Sequence, residues 1–485
     1  MHSNMLTRFT GVVALLCMLC GATAGRGEEY DHNKRPDHLT FEPLSWSMQT
    51  PDRISLANGT KLYHHHNTEL PLIDITLMFG VGRSIEDAAN AGLLQLFARA
   101  LENGGTHNIS ASDFDAKLDA LAINLSVDTG PYTTTLQMSL LKEDLQAGME
   151  LLAQLVRNPG FEEERFATAR QQLLEQVRRR LDNPESIAGQ LMLEHLYPDH
   201  PLGRKPTLET LANIKRTDLL DLHQRYFGPG NMYVAVSGDI AAHEAVQLME
   251  ESFLTWEQET EHAEVPALKE TSGMESLGPV VVAQRPLSQT TIRLVERGIT
   301  QNNPDVYAVE IMNFILGGGG FNSRLMREIR SNRGLAYSVF SHFSVGRRLQ
   351  GAFYAGCETK AETVEEAVNL FASIMQDLRT EGITAEELQL AKQSQINSFV
   401  FRFENPHSLV IRVMEYDFFG YPEDYLTRYR DHIGRVTVAD VQRVAQKYLH
   451  PQHQAIILVG EIDEETIANL ARGREVKNIN PQDLL

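Results

Sequence analysis

Cysteine is scarce in this sequence, and its placement limits the chemistry that the chain can support. The 485 residues include three cysteines, of which Cys17 and Cys20 lie in an apolar run near the amino terminus. If that run is removed as a leader, Cys357 is the only cysteine left, so no disulfide can form within the chain. Because Ala355 and Gly356 precede it, Cys357 is expected to be a small buried residue and not a catalytic thiol.

Positive charge and long apolar segments are also lacking. Asp and Glu outnumber Lys and Arg by 64 to 44, which gives a net charge of −20 at pH 7. This balance argues against nucleic acid or an anionic membrane surface as a partner. The apolar run of residues 9–20 is shorter than the roughly 20 residues that a membrane-spanning helix needs.

The amino terminus has the pattern of an export signal. Arg8 precedes the apolar run, and Ala22-Thr23-Ala24 follows it as a small-x-small cleavage site. We therefore expect residues 1–24 to be a signal peptide that is cleaved after Ala24; a short membrane anchor is the alternative. Export of a chain without disulfides favours a periplasmic location.

The chain repeats itself with a constant offset of 222 residues. Residues 160–240 match residues 382–462 without a gap, so that Gly160 pairs with Gly382, Asn183-Pro184 with Asn405-Pro406, Tyr226 with Tyr448 and Gly238 with Gly460. A period this long excludes a solenoid of short repeats. The sequence predicts two homologous halves, residues 25–254 and 280–485, joined by a polar, acidic linker at residues 255–279.

Both halves show the same predicted order of strands and helices. In the first half, residues 61–66 and 72–79 alternate like strands, and residues 141–156 and 162–180 have the period of amphipathic helices. Pro184 is expected to open a further helix from its first turn. Short hairpin links indicate an α+β fold, with a mixed or antiparallel sheet in each half and helices packed on one face.

One predicted helix, at residues 92–101, carries a degenerate metal-binding pattern. It reads Gly92-Leu-Leu-Gln95-Leu-Phe-Ala98-Arg99 and is followed by Gly-Gly-Thr106. This pattern resembles the helix G-L-x-H-x-x-E-H of the pitrilysin/insulinase zinc peptidases. In that family two histidines four residues apart bind zinc, and the glutamate between them activates a water. In this sequence the three positions hold Gln95, Ala98 and Arg99.

The resemblance covers nearly the whole chain after the leader. Further landmarks of the family occur in order, namely Glu69-Leu-Pro-Leu72, Pro201-Leu-Gly-Arg204, residues 231–238 and residues 316–325. The smaller family members, similar to mitochondrial processing peptidase, are the most alike. The resemblance implies two α/β halves that close like a clam shell.

The family pattern also implies that this chain binds no catalytic zinc. Neither H-x-x-E-H nor H-E-x-x-H occurs anywhere in the sequence. The family's third ligand, about 76 residues after the second histidine, falls on Glu175, but catalytic zinc needs three protein ligands. Gln95 is a poor ligand, Ala98 cannot act as a base, and Arg99 repels a dication. We predict that Arg99 pairs with Glu175 and replaces the charge of the metal; two solvated charges are the alternative.

The second half keeps the family's substrate-contacting pair. In the family an arginine and a tyrosine seven residues later contact the substrate beside the metal, and Arg330 and Tyr337 match them. A guanidinium and a phenol can donate to the substrate carbonyl and stabilise the oxyanion that forms on it. The alternative is structural, with Arg330 at a helix end and Tyr337 in the core. The run Gly317-Gly318-Gly319-Gly320 resembles glycine-rich loops over the substrate cleft of non-catalytic subunits, and equally fits a tight turn between helices.

These features together imply a division of labour between two chains. We expect a non-catalytic subunit of a periplasmic heterodimeric zinc metalloprotease that supplies Arg330 and Tyr337 to a homologous partner carrying HxxEH. Zinc is expected in that partner and no cofactor in this chain, and the substrate is a peptide or an unfolded segment. The alternative is a peptide-binding or scaffold protein of the same fold with no proteolytic role.

Overall fold

The computed structural model describes residues 49–269, 277–403 and 405–485. The predicted signal peptide lies outside these residues, as do residues 270–276 of the predicted linker. Within the described ranges, no helix is both long enough and apolar enough to cross a membrane.

A six-stranded mixed sheet forms the centre of the N-terminal half. Its strands are β1 (Asp52–Ser55), β2 (Lys61–His66), β3 (Leu72–Phe79), β4 (Asn124–Thr129), β5 (Thr134–Leu141) and β6 (Met232–Gly238). They lie in the order β1-β2-β6-β3-β5-β4. Strands β2 and β6 are parallel, and the other neighbours are antiparallel.

Eight α-helices accompany this sheet. They are α1 (Leu93–Asn103), α2 (Ala111–Ala120), α3 (Leu145–Arg157), α4 (Glu163–Arg178), α5 (Pro184–Leu196), α6 (Leu208–Asn213), α7 (Arg216–Tyr226) and α8 (Ala242–Phe253). Helix α5 starts at Pro184 as predicted, because Asn183 caps it by accepting a hydrogen bond from the amide of Glu185.

The C-terminal half is built on a second six-stranded sheet. Its strands are β7 (Val280–Gln284), β8 (Thr290–Arg297), β10 (Val339–Phe343), β12 (Ala352–Thr359), β13 (Ala455–Gly460) and β14 (Val476–Ile479). The order β10-β12-β8-β13-β7-β14 repeats that of the first sheet, apart from the edge strand. Edge strand β14 runs parallel to β7, whereas β1 runs antiparallel to β2. Strands β9 (Ile299–Thr300) and β11 (Val345–Gly346) form a separate small pair.

The helices of the second half repeat those of the first. They are α9 (Val306–Asn313), α10 (Val364–Thr380), α11 (Ala385–Ser398), α12 (Pro406–Phe419), α13 (Tyr425–Arg435), α14 (Val438–Tyr448) and α15 (Glu464–Ala471). Helix α14 equals α7 shifted by 222 residues at both ends, since 216 + 222 is 438 and 226 + 222 is 448. Thr384 and Thr437 each form the capping box that begins α11 and α14.

Each half contributes one helix that packs on the sheet of the other half. Helix α5 of the first half packs through Ile187, Ala188 and Leu191 against Val295 and Ile457 of the second sheet. Helix α12 of the second half packs on β2 and β6 of the first sheet. The predicted α+β class with two homologous halves is confirmed. Each sheet is covered on its other face by a helix from the opposite half.

A buried histidine joins α12 to the first sheet. The ring nitrogens of His407 hydrogen bond to the hydroxyl oxygens of Thr76 on β3 and Ser237 on β6, each at a distance of 2.8 Å. A second bridge is the ion pair between Glu185 on α5 and the buried Arg293 on β8. Polar contacts therefore fix the position of each of these two helices on the sheet of the opposite half.

Residues 255–269 of the predicted linker lie along the N-terminal half. Trp256 packs in the core against Phe79 and Phe253. Further on, the amide of Gln258 donates to the carbonyl oxygens of His223 and Gln224. Cys357, on β12, is buried as expected, and burial raises the pKa of its thiol to about 12.

Candidate functional site

Helix α1 is fixed at its start by a buried carboxylate. Glu86 accepts hydrogen bonds from the backbone amides of Leu94 at 2.8 Å and Gly92 at 3.2 Å. Burial raises the pKa of Glu86 to about 7, although these two amides act in the opposite direction. The first turn of α1 is thus held by a side chain that ionises near neutral pH.

The three degenerate metal positions of α1 do not share one environment. Gln95 and Arg99 lie one turn apart and both line a cavity of about 750 Å³. Ala98 faces the hydrophobic core instead and is almost fully buried. In active family members a glutamate is the general base at this position. In this chain the position holds Ala98, whose methyl group packs in the core.

Arg99 pairs with glutamines and not with Glu175. Its guanidinium donates to Oε1 of Gln176 at 2.9 Å and, more weakly, to Oε1 of Gln172 at 3.5 Å. The carboxylate of Glu175 accepts from Arg179 at 3.0 Å instead. The predicted ion pair between Arg99 and Glu175 is therefore wrong.

The reason lies in the rotation of α4. Gln172 and Gln176 are four residues apart, so they lie above one another on the face toward Arg99. Glu175 lines the same cavity but is turned toward Arg178 and Arg179, its neighbours one helical turn later. The spacing of 76 residues after Arg99 identifies the turn of α4 that lies beside α1. The side chains of α4 that contact Arg99 are nevertheless Gln172 and Gln176.

The residues at this position do not fit zinc. The cavity offers the amides of Gln95, Gln172 and Gln176, one carboxylate and three guanidinium groups, whereas catalytic zinc takes three ligands from histidine nitrogens and carboxylate oxygens. No group of three His, Cys, Asp or Glu side chains within the described residues is arranged to hold a metal.

Arg330 lies between two exposed aromatic rings. Its guanidinium carbon is 4.6 Å from the ring centre of Phe321 and 4.7 Å from that of Tyr337. Tyr337 is 82% exposed and Phe321 68% exposed. We call these three residues the aromatic–arginine stack.

The stack is held by unusual helical geometry. Arg330 lies in the π-helical segment Met326–Asn332, a conformation that is rare and concentrated at functional sites. This helix ends at Gly334, whose φ of +65° is left-handed and whose amide donates to the carbonyl of Arg330. Tyr337 lies just before the next strand, since β10 starts at Val339.

The glycine run preceding the stack is tightly packed. Gly317 and Gly318 end a second π-helical segment, Phe314–Gly318, and a 3₁₀ turn follows at Gly320–Asn322. A Cβ on Gly317 would lie 2.4 Å from the backbone nitrogen of Ser341, and one on Gly319 would lie 2.7 Å from the carbonyl of Phe314. Of the two readings of this run, the geometry favours the tight turn. Its contact with substrate stays a prediction.

Two residues of the candidate sites were not predicted from the sequence. Phe321 follows the glycine run directly, and its exposed ring beside Arg330 was not predicted from the sequence. Gln190 on α5 lines the cavity beside α1 and is buried. Nothing in the sequence indicated it, because α5 reaches this place through its docking on the other half.

The family models decide to which family these features belong. The model described as "Insulinase (Peptidase family M16)" matches residues 64–210, and the model described as "Peptidase M16 inactive domain" matches residues 213–395. Together they cover about two thirds of the chain. The chain belongs to peptidase family M16.

Relatives within M16 include both protease and non-peptidase names. The chain is 27% identical over 431 residues to "Uncharacterized zinc protease ML0855" of Mycobacterium leprae, covering 87% of this chain and 94% of the relative. It is also 27% identical over 406 residues to "Non-peptidase homolog YmxG" of Helicobacter pylori, covering 83% and 91%.

Solved M16 structures share the fold. The crystal structure of a peptidase M16 inactive domain from Pseudomonas fluorescens matches with a TM-score of 0.76 and 24% identity, covering 85% of this chain and 98% of that chain. With the HxxEH positions of M16 occupied by Gln95, Ala98 and Arg99, the chain is a non-catalytic member of the family.

Proposed function

We propose that this chain is the non-catalytic subunit of a periplasmic heterodimeric zinc protease. It presents Arg330 and Tyr337 to the substrate bound by a homologous partner, and that partner carries HxxEH and the zinc ion. The chain itself binds the substrate and positions it for the reaction.

The state of Arg330 and Tyr337 carries this proposal. Neither the guanidinium of Arg330 nor the hydroxyl of Tyr337 makes a hydrogen bond to any other residue in the described part of the chain. A tyrosine in the core would satisfy its hydroxyl within the fold, whereas Tyr337 is 82% exposed. Ring stacking holds the half-buried Arg330 beside it, so both side chains can donate to a ligand.

The stack can act on a peptide carbonyl without a metal of its own. The planar guanidinium of Arg330 lies 4.6 Å from the ring centre of Phe321 and 4.7 Å from that of Tyr337, and these contacts restrict it. The guanidinium and the phenol then donate to the carbonyl oxygen as negative charge develops on it. The zinc ion of the partner supplies the activated water.

The named relatives and the predicted signal peptide support the proposed pair of chains and its periplasmic location. Relatives of nearly full length carry the names of a zinc protease and of a non-peptidase homolog, so the family offers chains of both kinds for such a pair. The sequence at residues 1–24 has the pattern of an export signal. A single cysteine after residue 24 suits an exported protein that folds without disulfides.

Reconstitution of the two chains tests the proposal. The isolated chain, the partner alone and the co-expressed pair are compared in hydrolysis of a fluorogenic peptide, with zinc content measured for each. We expect no hydrolysis by this chain, little by the partner, and full activity and zinc in the pair. Hydrolysis by this chain alone contradicts the proposal. A pair whose activity equals that of the partner alone favours the scaffold function instead.

A further inference from the structure

Phe321 differs from Arg330 and Tyr337 in having no polar group to offer a substrate. Its ring is 68% exposed, and the ring centre lies 4.6 Å from the guanidinium carbon of Arg330. Single exposed apolar side chains are common on protein surfaces, so exposure alone assigns no role. What distinguishes Phe321 is its place beside a side chain that can donate to a substrate carbonyl.

The backbone that carries Phe321 is fixed by a closed turn. Gly320 precedes it with a left-handed φ of +57°, which favours glycine. Ser323 follows the turn and is fully buried, and its hydroxyl donates to the carbonyl of Gly320 at 2.7 Å while its amide donates at 2.9 Å. The 3₁₀ turn Gly320–Asn322 therefore gives the ring a defined starting point beside Arg330.

A substrate bound at the aromatic–arginine stack brings its side chains within reach of this ring. An N–H of Arg330 that donates to a carbonyl oxygen holds it at about 2.9 Å. The side chain of the same residue starts two bonds from the carbonyl carbon, and that of the next residue starts three bonds away. In an extended peptide these two side chains point to opposite sides, so one of them faces Phe321.

The chemistry of the ring selects one class of side chain. Contact with an aliphatic or aromatic side chain removes apolar area of both partners from water. An amide or hydroxyl placed against the ring would lose water without gaining a hydrogen bond from it. A carboxylate at this place would pair with Arg330 and take its donors away from the carbonyl.

We propose that Phe321 determines which substrates the stack accepts, by contacting an aliphatic or aromatic side chain next to the carbonyl that Arg330 and Tyr337 polarise. This inference rests on the proposed function and adds to it a residue and a substrate class. The contact with Arg330 also orients the guanidinium, so loss of the ring weakens catalysis in general. Loss of the apolar contact, in contrast, affects only substrates with an apolar side chain at the facing position.

The reconstituted pair measures the two effects separately. Mass spectrometry first locates the bond that is cleaved in a peptide with leucine on both sides of it. Two further peptides replace one leucine or the other by asparagine, which has a similar shape but is polar. In Phe321→Ala the preference for leucine over asparagine, as a ratio of kcat/KM, should fall by about tenfold on one side of the bond and stay unchanged on the other.

Rescue and control variants show that the effect belongs to the ring at this position. Phe321→Tyr keeps the ring and should keep the preference, whereas Phe321→Ser repeats the loss seen with alanine. Phe401→Ala is the matched control, because Phe401 is 65% exposed and also lies in a 3₁₀ segment, Phe399–Phe403. It should leave both ratios unchanged. Circular dichroism, assembly and zinc content are checked for every variant.

A ratio that stays constant in Phe321→Ala and Phe321→Ser would overturn this inference, whether kcat/KM falls equally for all three peptides or does not fall. If Arg330→Ala lowers kcat/KM for the same peptides, only the role of Phe321 has failed. If Arg330→Ala leaves kcat/KM unchanged for all of them, the proposed function itself has failed, and the role of Phe321 with it.

Discussion

Arg99 on α1 donates a hydrogen bond to the side-chain oxygen of Gln176 on α4 at a distance of 2.9 Å. In M16 peptidases that bind zinc, these two helices carry the metal ligands. In this chain a guanidinium and an amide connect them instead. The helix pair keeps its arrangement through a neutral partner.

Restoring histidines on α1 should not be enough to restore a zinc site. We expect Gln95→His/Arg99→His to bind zinc weakly, because Glu175 is held by Arg178 and Arg179 and glutamines face the new histidines. Adding Gln176→Glu should supply the third ligand and raise the affinity by about tenfold or more. Competition with a chromophoric chelator measures both constants. Tight binding by the double variant alone would show that Glu175 turns to the metal.

His407 should stabilise the contact between the halves in its neutral form. Burial holds the pKa of His407 well below its ordinary value, while Asp74 acts weakly in the opposite direction. The unfolded chain, with a histidine pKa of about 6.5, therefore takes up a proton first as the pH falls. Stability should decrease below about pH 6.5, toward the lowered pKa of the folded state.

A leucine at position 407 separates this contribution from others. His407→Leu leaves the hydroxyls of Thr76 and Ser237 unpaired and should cost about 1–3 kcal/mol at pH 7.5. The difference from wild type should shrink as the pH falls from 7 to 5 in urea unfolding. His243→Leu, at an exposed position on α8, is the matched control. A difference that does not change with pH would contradict a neutral, buried His407.

Glu86 should produce the opposite pH dependence. Its folded pKa of about 7 exceeds its ordinary value of 4.5, because burial disfavours the carboxylate. The folded state thus holds a proton that the unfolded state has lost between these values. This contribution is fully present below about pH 4.5 and is lost as the pH rises through 7. Glu86→Gln should flatten that part of the profile, as measured by urea unfolding at several pH values. An unaltered profile would show that Glu86 is already ionised in the fold.

Gly334 should matter through its backbone conformation alone. Its φ is +65° and a Cβ there would meet no atom within 4 Å, so Gly334→Ala should cost about 1–2 kcal/mol from the left-handed conformation. Gly434→Ala in α13, which also meets no atom, should be neutral or stabilising by up to about 1 kcal/mol. Thermal unfolding compares the two. Equal effects would mean that the end of the π-helical segment can adjust.

Much of the fold was predictable because its signals are local. Asn183-Pro184 and Asn405-Pro406 each begin a helix through a cap and a fixed proline φ, and both helices start where the sequence predicts. The offset of 222 residues carries the same elements into the second half. Such signals depend on neighbours within a few residues, and a single sequence contains them.

The errors concern relations between distant segments. Local periodicity shows that Ile187 and Leu191 face an apolar surface, but not that this surface is the other half's sheet. Counting along the chain placed Glu175 beside Arg99, while the rotation of α4 places Gln176 there. The π-helical segment that carries Arg330 was not predicted either. None of these features has a local signal.

Arg330→Ala and Tyr337→Phe in the proposed heterodimer test whether this subunit takes part in peptide hydrolysis. Both variants remove a donor from the proposed non-catalytic subunit, and Arg333→Ala, an exposed arginine paired with Glu328 and Glu366, is the control. We expect kcat/KM for a fluorogenic peptide to fall by about 10²–10³-fold in Arg330→Ala, and by less in Tyr337→Phe, with zinc content and assembly unchanged. Unchanged kcat/KM in both variants would contradict this expectation.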